Sequence, residues 1–439
     1  FNTMSSYLSS KGYAVRYLDL DRPELSDSWE PFQPFFYAEN CPGAGDPGYA
    51  AFLAHAIVDP AWGDSSESSA AAQDLLMALI LRVVYGIEYD EKTLTAVFQL
   101  LKTPYGLQYL DTLFTEEFQG NAARMAIESY EKFKKHPEPL QQDVFKKLPS
   151  LVEPLLKIYP AASEFPLHTV SMDMHLPGNA PCAYFIKYSR DSQNARVAAF
   201  FFSAFYRSLF NDSDALAKRG AVSIPTPVNF LLHEMSSIGQ IFKLDFALAT
   251  SRKRNVNFCM TANSIQDLSQ TYESWLTVSA NCSTHLAFSP YNAADIDMIQ
   301  KWVGPGEVVF DRKSLQDDTV VILLHFHEPI FAKEYPYTLH SEAADPIIRA
   351  DAPADIISLL SHNGLKEYRE GRDAVSKDYM RIFPDANEVN RNWFGECEPI
   401  PVPDSVLNRV SEPDTMGRPI WRQSQPWRIF RRVHWWIGF

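Results

Sequence analysis

This 439-residue chain has only five cysteines, no long apolar run and no excess of positive charge. The few cysteines never form a CxxC pair, so the sequence indicates neither a zinc site nor a disulfide framework. No run of about 18 uncharged apolar residues occurs, and the first residues lack the basic and apolar regions of a secretory signal. The 46% hydrophobic content predicts a folded protein, and the scattered cysteines favour a reducing, cytoplasmic setting.

Basic side chains are outnumbered, because 40 lysines and arginines stand against 54 acidic residues and give a formal net charge of -14. Such a chain repels nucleic acid at long range unless its cations are clustered. One cluster near the C-terminus mixes cations with indoles: Arg428, Arg431, Arg432, Trp435 and Trp436. That composition suits an anionic membrane, a nucleic acid or a partner groove, and equally a tail without a specific contact.

The hydrophobic pattern changes several times along the chain. Alternating residues at 12–20 predict a strand, and the alanine- and leucine-rich stretch at 65–85 begins a series of predicted helices. Beyond residue 181, short apolar runs alternate with helical patterns, which is typical of a parallel α/β sheet. We therefore predict a first sheet part at 1–62, an all-helical domain at 63–165, a second sheet part at 166–341, and a C-terminal appendage of helices and loops at 342–439.

One predicted strand ends in polar residues that are candidates for a catalytic site. The apolar run 228–232 is a predicted strand that ends in His233-Glu234, at the point where nucleotide-hydrolysing sheets place an Asp-Glu pair. Further along come the sequence SRKRN, which contains Arg252, and the sequence NSIQDL, which begins at Asn263, followed by Tyr272. A strand ending in one acidic residue is weak evidence alone, so the order of these segments matters more than any one of them.

This order resembles the TraG/TraD-like coupling proteins of conjugative type IV secretion systems, and the resemblance extends over roughly residues 1 to 341. It implies a RecA-like P-loop NTPase sheet with an inserted all-helical domain. It also implies a ring-forming homo-oligomer, a hexamer in the family, at the inner face of the cell membrane. Such proteins use ATP and Mg²⁺ and pass DNA and relaxase to the components of the secretion channel.

By the same resemblance, Glu234 corresponds to the catalytic base and Arg252 to the arginine finger. Asn263 stands where the family has a glutamine, and Ser264 follows it as a remnant of the nucleotide site. His233 replaces the aspartate expected beside magnesium, although an imidazole is a poor ligand for that hard cation. The phosphate-binding pattern GxxxxGK[ST] occurs nowhere in the chain. We therefore expect ATP and Mg²⁺ not to bind tightly.

The missing phosphate loop leaves three alternatives open. In the family this loop lies upstream of the segment that begins at Phe1, so an N-terminally truncated chain would lack it, together with the membrane anchor. Truncation does not account for His233 and Asn263. The chain is then a coupling-protein homologue with impaired ATP hydrolysis, a catalytically silent scaffold or substrate receptor, or an active motor shortened at its start. We predict no metal site, because His325 and His327 lack a third ligand at a suitable spacing.

Overall fold

The computed structural model describes residues 4–333, except for 24–26, 28, 37–46, 64–65, 87–91, 116–120, 159–176, 179, 190, 219, 222, 289–292, 304–318 and 325–326. Of the described residues, 4–16 and 182–185 belong to one compact unit. All the other described residues belong to a second unit, which contains His233, Glu234, Arg252, Asn263 and Ser264.

Helices dominate the first half of the chain and strands alternate with helices in the second. The described helices are α1 Ser5–Ser10, α2 Gln33–Phe36, α3 Pro47–Trp62, α4 Glu67–Gly86, α5 Leu94–Leu101, α6 Gly106–Thr115, α7 Asn121–Lys135, α8 Glu138–Val152, α9 Ser192–Lys218, α10 Met235–Ile238, α11 Leu244–Ser251, α12 Ile265–Thr271, α13 Trp275–Ala280 and α14 Ala293–Val303. The strands are β1 Ala14–Asp19, β2 Cys182–Lys187, β3 Val228–Leu232, β4 Val256–Met260, β5 Thr284–Phe288, β6 Thr319–Leu324 and β7 Ile330–Lys333.

The helical region is built around α4. Its alanines and leucines are buried on several sides, because α3, α7 and α8 all pack against it. This helix is long and apolar enough to cross a membrane by length and composition alone, but 61% of its most apolar window is buried inside the protein. A helix that is apolar nearly all round is expected in the core of a large helical domain.

The long helix α9 joins the helical region to the strands. On one side the Arg196 guanidinium donates to the carbonyl of Leu151 at the end of α8, at 2.8 Å. Aromatic side chains of α9 pack against rings from other segments. Trp29 lies edge-on to Phe201 on α9, with ring centroids 4.8 Å apart, and Phe205 on α9 contacts Phe230 on β3. Aromatic burial of this kind fixes the position of β3 beneath the helix.

The strands form three small sheets. In the first, β1 is hydrogen-bonded to β2. In the second, β3 and β4 are parallel, with Val228 opposite Val256 and Leu232 opposite Met260. In the third, β5, β6 and β7 are antiparallel, and α14 covers one face by packing Ile299 against Val321.

The expectation of a parallel sheet is thus met by β3 and β4 and wrong for β5 to β7. The sequence pattern of strand, helix, strand was present there too, since α14 separates β5 from β6. That pattern does not by itself fix the direction of the second strand. In this case both strands bury the same apolar side against α14, and an antiparallel register achieves that burial.

An α/β organisation is therefore observed, and the predicted strands at 12–20 and 228–232 are confirmed. Helix α11 begins at Leu244, directly after Lys243, whose backbone is left-handed with φ 51°. The long helix α3 already starts at Pro47, ahead of the boundary expected at residue 63. The division into four domains stays a prediction, and the appendage at 342–439 lies outside the described residues.

Candidate functional site

The end of β3 places His233 and Glu234 in a sharp turn. Phe230 and Leu232 are buried below, so the strand is anchored by its apolar side up to this point. Glu234 then takes a left-handed backbone, with φ 49° and ψ 55°, and starts the short helix α10. Non-glycine residues rarely adopt this conformation, which costs about 1 kcal/mol or more and persists where neighbouring contacts impose it.

Thr261, directly after β4, supplies those contacts. Its hydroxyl oxygen accepts the backbone N–H of Glu234 at 2.8 Å and lies 3.1 Å from His233 Nδ1. Its backbone continues the parallel ladder, because the Thr261 N–H donates to Leu232 and its carbonyl accepts from Met235. One residue therefore holds the turn from both its side chain and its main chain.

Asn263 and Ser264 follow the carboxyl end of β4, so the parallel register puts them at the same sheet edge as His233 and Glu234. Asn263 is exposed. Ser264 caps helix α12, since its hydroxyl oxygen accepts the backbone N–H of Asp267 at 3.0 Å. This capping bond gives Ser264 a structural role beside the predicted remnant role.

Arg252 lies at the opposite end of the same strand pair. It precedes β4, whereas Glu234 follows β3, so the length of a five-residue strand separates them, roughly 16 Å. The Arg252 side chain is exposed. The structure thus groups His233, Glu234, Asn263 and Ser264 and leaves Arg252 apart from them within one chain.

The segment Gly239–Lys243, which follows α10, is held by the hydroxyl groups of two buried tyrosines, Tyr272 and Tyr206. The Tyr272 hydroxyl donates to the carbonyl of Gly239 at 2.9 Å and accepts the N–H of Ile241 at 3.2 Å. Burial raises the pKa of Tyr272, so this hydroxyl stays protonated and remains a donor. Tyr206 on α9 donates to the carbonyl of Phe242 at 2.6 Å. Tyr272 was visible in the sequence motif, but its partners depend on the fold.

Thiol chemistry is disfavoured near this edge. Cys259 lies on β4, and burial raises the pKa of its thiol. Burial, together with the electrostatic effect of Cys259, raises the pKa of Cys282 to about 11. Both thiols are therefore protonated at neutral pH, and a thiol without thiolate character is a poor nucleophile or metal ligand.

The other predicted residues either lie outside the described residues or are exposed. The aromatic and basic cluster at Arg428, Arg431, Arg432, Trp435 and Trp436 lies outside the described residues, as does His325. His327 is exposed. Within the described part of the chain, no group of three His, Cys, Asp or Glu side chains is placed to hold a metal ion.

The donor set at the edge does not fit Mg²⁺ well. Magnesium prefers carboxylate and phosphate oxygens in octahedral geometry, and here an imidazole occupies the first position after β3. Glu234 contributes a carboxylate, and Asn263 an amide. These groups suit hydrogen bonding to a polar ligand or partner better than coordination of a hard cation.

Comparison with known proteins bears on the same region. Residues 227–323, from the start of β3 to β6, match the family model described as the TraM recognition site of TraD and TraG. A search of curated proteins found no match. The chain is also similar to solved structures of the bacterial conjugative coupling protein TrwB, in unbound form and in complex with a GTP analogue, each with a TM-score of 0.48 and 14% identity over 73% of this chain and 74% of TrwB. The TrwB complex with ADP and Mg²⁺ has a TM-score of 0.48 at 13% identity, over 73% of each chain.

Proposed function

We propose that this chain, which belongs to the conjugative coupling-protein family, recruits a DNA–relaxase substrate to a type IV secretion channel and hydrolyses ATP weakly or not at all. The observation that carries the proposal is the match of residues 227–323 to the recognition-site family. This segment contains both β3 and β4 and the whole edge from His233 to Ser264. We also propose that the α/β region has a RecA-like arrangement.

Impaired hydrolysis is supported by the chemistry of that edge. Phosphoryl transfer depends on metal ions that neutralise charge between the phosphates and on a base that positions water. Glu234 keeps the position of the base, but His233 replaces the metal-binding carboxylate and Asn263 is one methylene shorter than the expected glutamine. A carboxylate without a polarised nucleotide beside it has no water to activate.

The separation of Arg252 from Glu234 agrees with a site shared between subunits. An arginine about one strand length away does not reach its own chain's Glu234, so it would serve a neighbouring copy in a homo-oligomeric ring. We place such a ring in the cytoplasm at the inner face of the cell membrane, held there by an anchor or by channel components. Relaxase, DNA and those components are its partners in this proposal.

Magnesium-dependent ATP turnover tests the impaired-hydrolysis part. We expect the purified chain to release no phosphate above the rate of its Glu234→Gln variant. Turnover that depends on Mg²⁺ and disappears in Glu234→Gln would show that the edge is a working hydrolysis site. Thr277→Val, a change at an exposed helix position, provides a matched control for handling and purity.

A catalytically silent scaffold with the same fold is the second candidate, favoured by the replacement of magnesium-binding chemistry at His233. Calorimetry with ATP and Mg²⁺ separates the two. The scaffold predicts no heat of binding, whereas an impaired motor predicts weak binding that is lost when Mg²⁺ is removed. Tight, magnesium-dependent binding would exclude the scaffold.

A further inference from the structure

The segment from Glu234 to Lys243 has a left-handed backbone at both of its ends. Glu234 has φ 49° and Lys243 has φ 51°, while Gly239 in between has φ 87°. A glutamate or a lysine rarely keeps this conformation unless neighbouring groups impose it. We call residues 234–243 the strap. Contacts from other elements therefore decide where the strap lies, and with it the turn that carries Glu234.

Helix α9 holds the strap near its end, at Phe242. The backbone N–H of Phe242 donates to the Ser203 hydroxyl at 2.9 Å, and its carbonyl accepts from the Tyr206 hydroxyl at 2.6 Å. Phe242 is also buried, with 8% of its surface exposed. Two main-chain hydrogen bonds and a buried ring make Phe242 an anchor of the strap.

The ring of Phe242 contacts helix α3 of the helical region. Phe52 lies edge-on to it, with ring centroids 5.2 Å apart, and the His55 imidazole stacks on it at 5.9 Å with the ring planes 7° apart. Phe52 and His55 are three residues apart on α3, so they share one face of that helix. Ring pairs at these separations contribute stabilisation beyond the area that they bury. The helical region therefore contacts the strap through the Phe242 ring.

His55 is linked in turn to helix α4. Its Nδ1 lies 3.1 Å from one carboxylate oxygen of Asp59, one turn further along α3, and the other Asp59 oxygen accepts from the Ser69 hydroxyl of α4 at 3.3 Å. The Asp59 side chain is only 10% exposed, so water competes little for these bonds. The orientation of the His55 ring is thus set by α3 and α4 together. A continuous set of contacts leads from α4 through His55 and Phe242 to the strap.

We propose that Phe242 couples the helical region to the turn that carries Glu234, so that a displacement of α3 changes the conformation of that turn. Phe242 is a positioning residue, because it acts on Glu234 through the strap. A strap with left-handed residues at both ends suits this role, since loss of the imposed contacts lets those residues return to more favourable backbone angles. The coupling rests on these contacts alone, and its use in substrate recruitment rests on the proposed function.

Hydrogen exchange at the Glu234 and Met235 amides, resolved to single residues by mass spectrometry with fragmentation, tests the coupling from the α3 side. The test variant, His55→Ala, removes the stacked ring. The matched variant, His55→Phe, keeps a ring against Phe242 and removes only the imidazole contact with Asp59.

A control variant loosens the helical region away from the strap. Phe114→Leu serves this purpose, because Phe114 on α6 stacks on Tyr130 of α7, with ring centroids 4.3 Å apart. Circular dichroism establishes that each variant is folded. If His55→Ala does not fold, Phe52→Leu takes its place, since it weakens the other ring contact between α3 and the strap.

We expect His55→Ala to raise exchange at Glu234 and Met235 roughly three- to tenfold, the factor that corresponds to the loss of one aromatic contact. His55→Phe and Phe114→Leu should exchange there like the unchanged chain. Unchanged exchange in His55→Ala would overturn the coupling, and so would an equal rise in Phe114→Leu, which would indicate general loosening.

A rise in His55→Phe as large as that in His55→Ala would assign the effect to the Asp59 contact and overturn the role given to the Phe242 ring. Capture of a relaxase–DNA complex measures recruitment separately. Each of the contradicting results therefore leaves the proposed function standing.

Discussion

The free energy of unfolding of this chain should fall as the pH rises, and we expect Glu30→Gln to remove most of that decrease. Glu30 is 5% exposed and lies in the turn before α2. Its Oε1 accepts the N–H of Phe32 at 3.0 Å, and the N–H of Leu94 at the start of α5 also favours the charged form. Its Oε2 has no hydrogen-bond partner among the described residues. Burial outweighs these bonds and raises the pKa of Glu30 to about 8.

Stability falls with rising pH because the folded state binds the Glu30 proton more tightly than the unfolded state does. Between the unfolded pKa of 4.5 and the folded pKa of about 8, the folded state stays protonated while the unfolded state ionises. Glu30 therefore contributes no penalty below pH 4.5, and stability falls as the pH rises, by about 1.4 kcal/mol per unit. The total loss above pH 8 is about 5 kcal/mol, which is an upper figure because a buried site can relax.

Urea unfolding monitored by tryptophan fluorescence, at several pH values between about 5 and 8, measures this difference. Across that range, the free energy of unfolding should fall by about 4 kcal/mol more in the unchanged chain than in Glu30→Gln. Glu131→Gln, which neutralises an exposed carboxylate on α7, should follow the unchanged chain. Parallel curves for the unchanged chain and Glu30→Gln would refute the claim that Glu30 is buried in its protonated form.

Two further substitutions test contacts around the strand pair. Thr261→Val should destabilise the chain by about 1–2 kcal/mol and raise hydrogen exchange at the Glu234 amide, because that N–H loses its acceptor. Unchanged exchange at Glu234 would contradict the role given to Thr261. Asp214→Ala should cost about 1–2 kcal/mol in urea unfolding, since it strands the buried Arg254 guanidinium while the carboxylate itself is half exposed. A stability unchanged within error would mean that solvent replaces the pair.

Local patterns predicted the elements well where a short segment decides its own structure. The apolar run 228–232 and its acidic end predicted β3 and the position of Glu234, because strand propensity and the turn are local. The alternation at 12–20 predicted β1 but not its environment, since all six of its residues are buried. Asp19 tolerates that burial by accepting from Lys187, 168 residues away.

What the sequence did not show depends on pairing between distant segments. Thr261 holds Glu234 only because Leu232 lies opposite Met260, a register that no short window contains. The three cations from Arg252 to Arg254 look alike in sequence, yet Arg254 is buried against Asp214 and Arg252 is exposed. The antiparallel direction of β6 is likewise seen only in its pairing with β5, which lies on the other side of α14 in the sequence.

Capture of a relaxase–DNA complex measures whether this chain recruits its proposed substrate without hydrolysing ATP. The immobilised chain would be exposed to the complex in buffer alone, with ATP and Mg²⁺, and as the Glu234→Gln variant with both. We predict the same dissociation constant under all three conditions, because recruitment does not depend on hydrolysis at the His233–Glu234 edge. Failure to capture the complex, or capture that requires ATP and an intact Glu234, would contradict it.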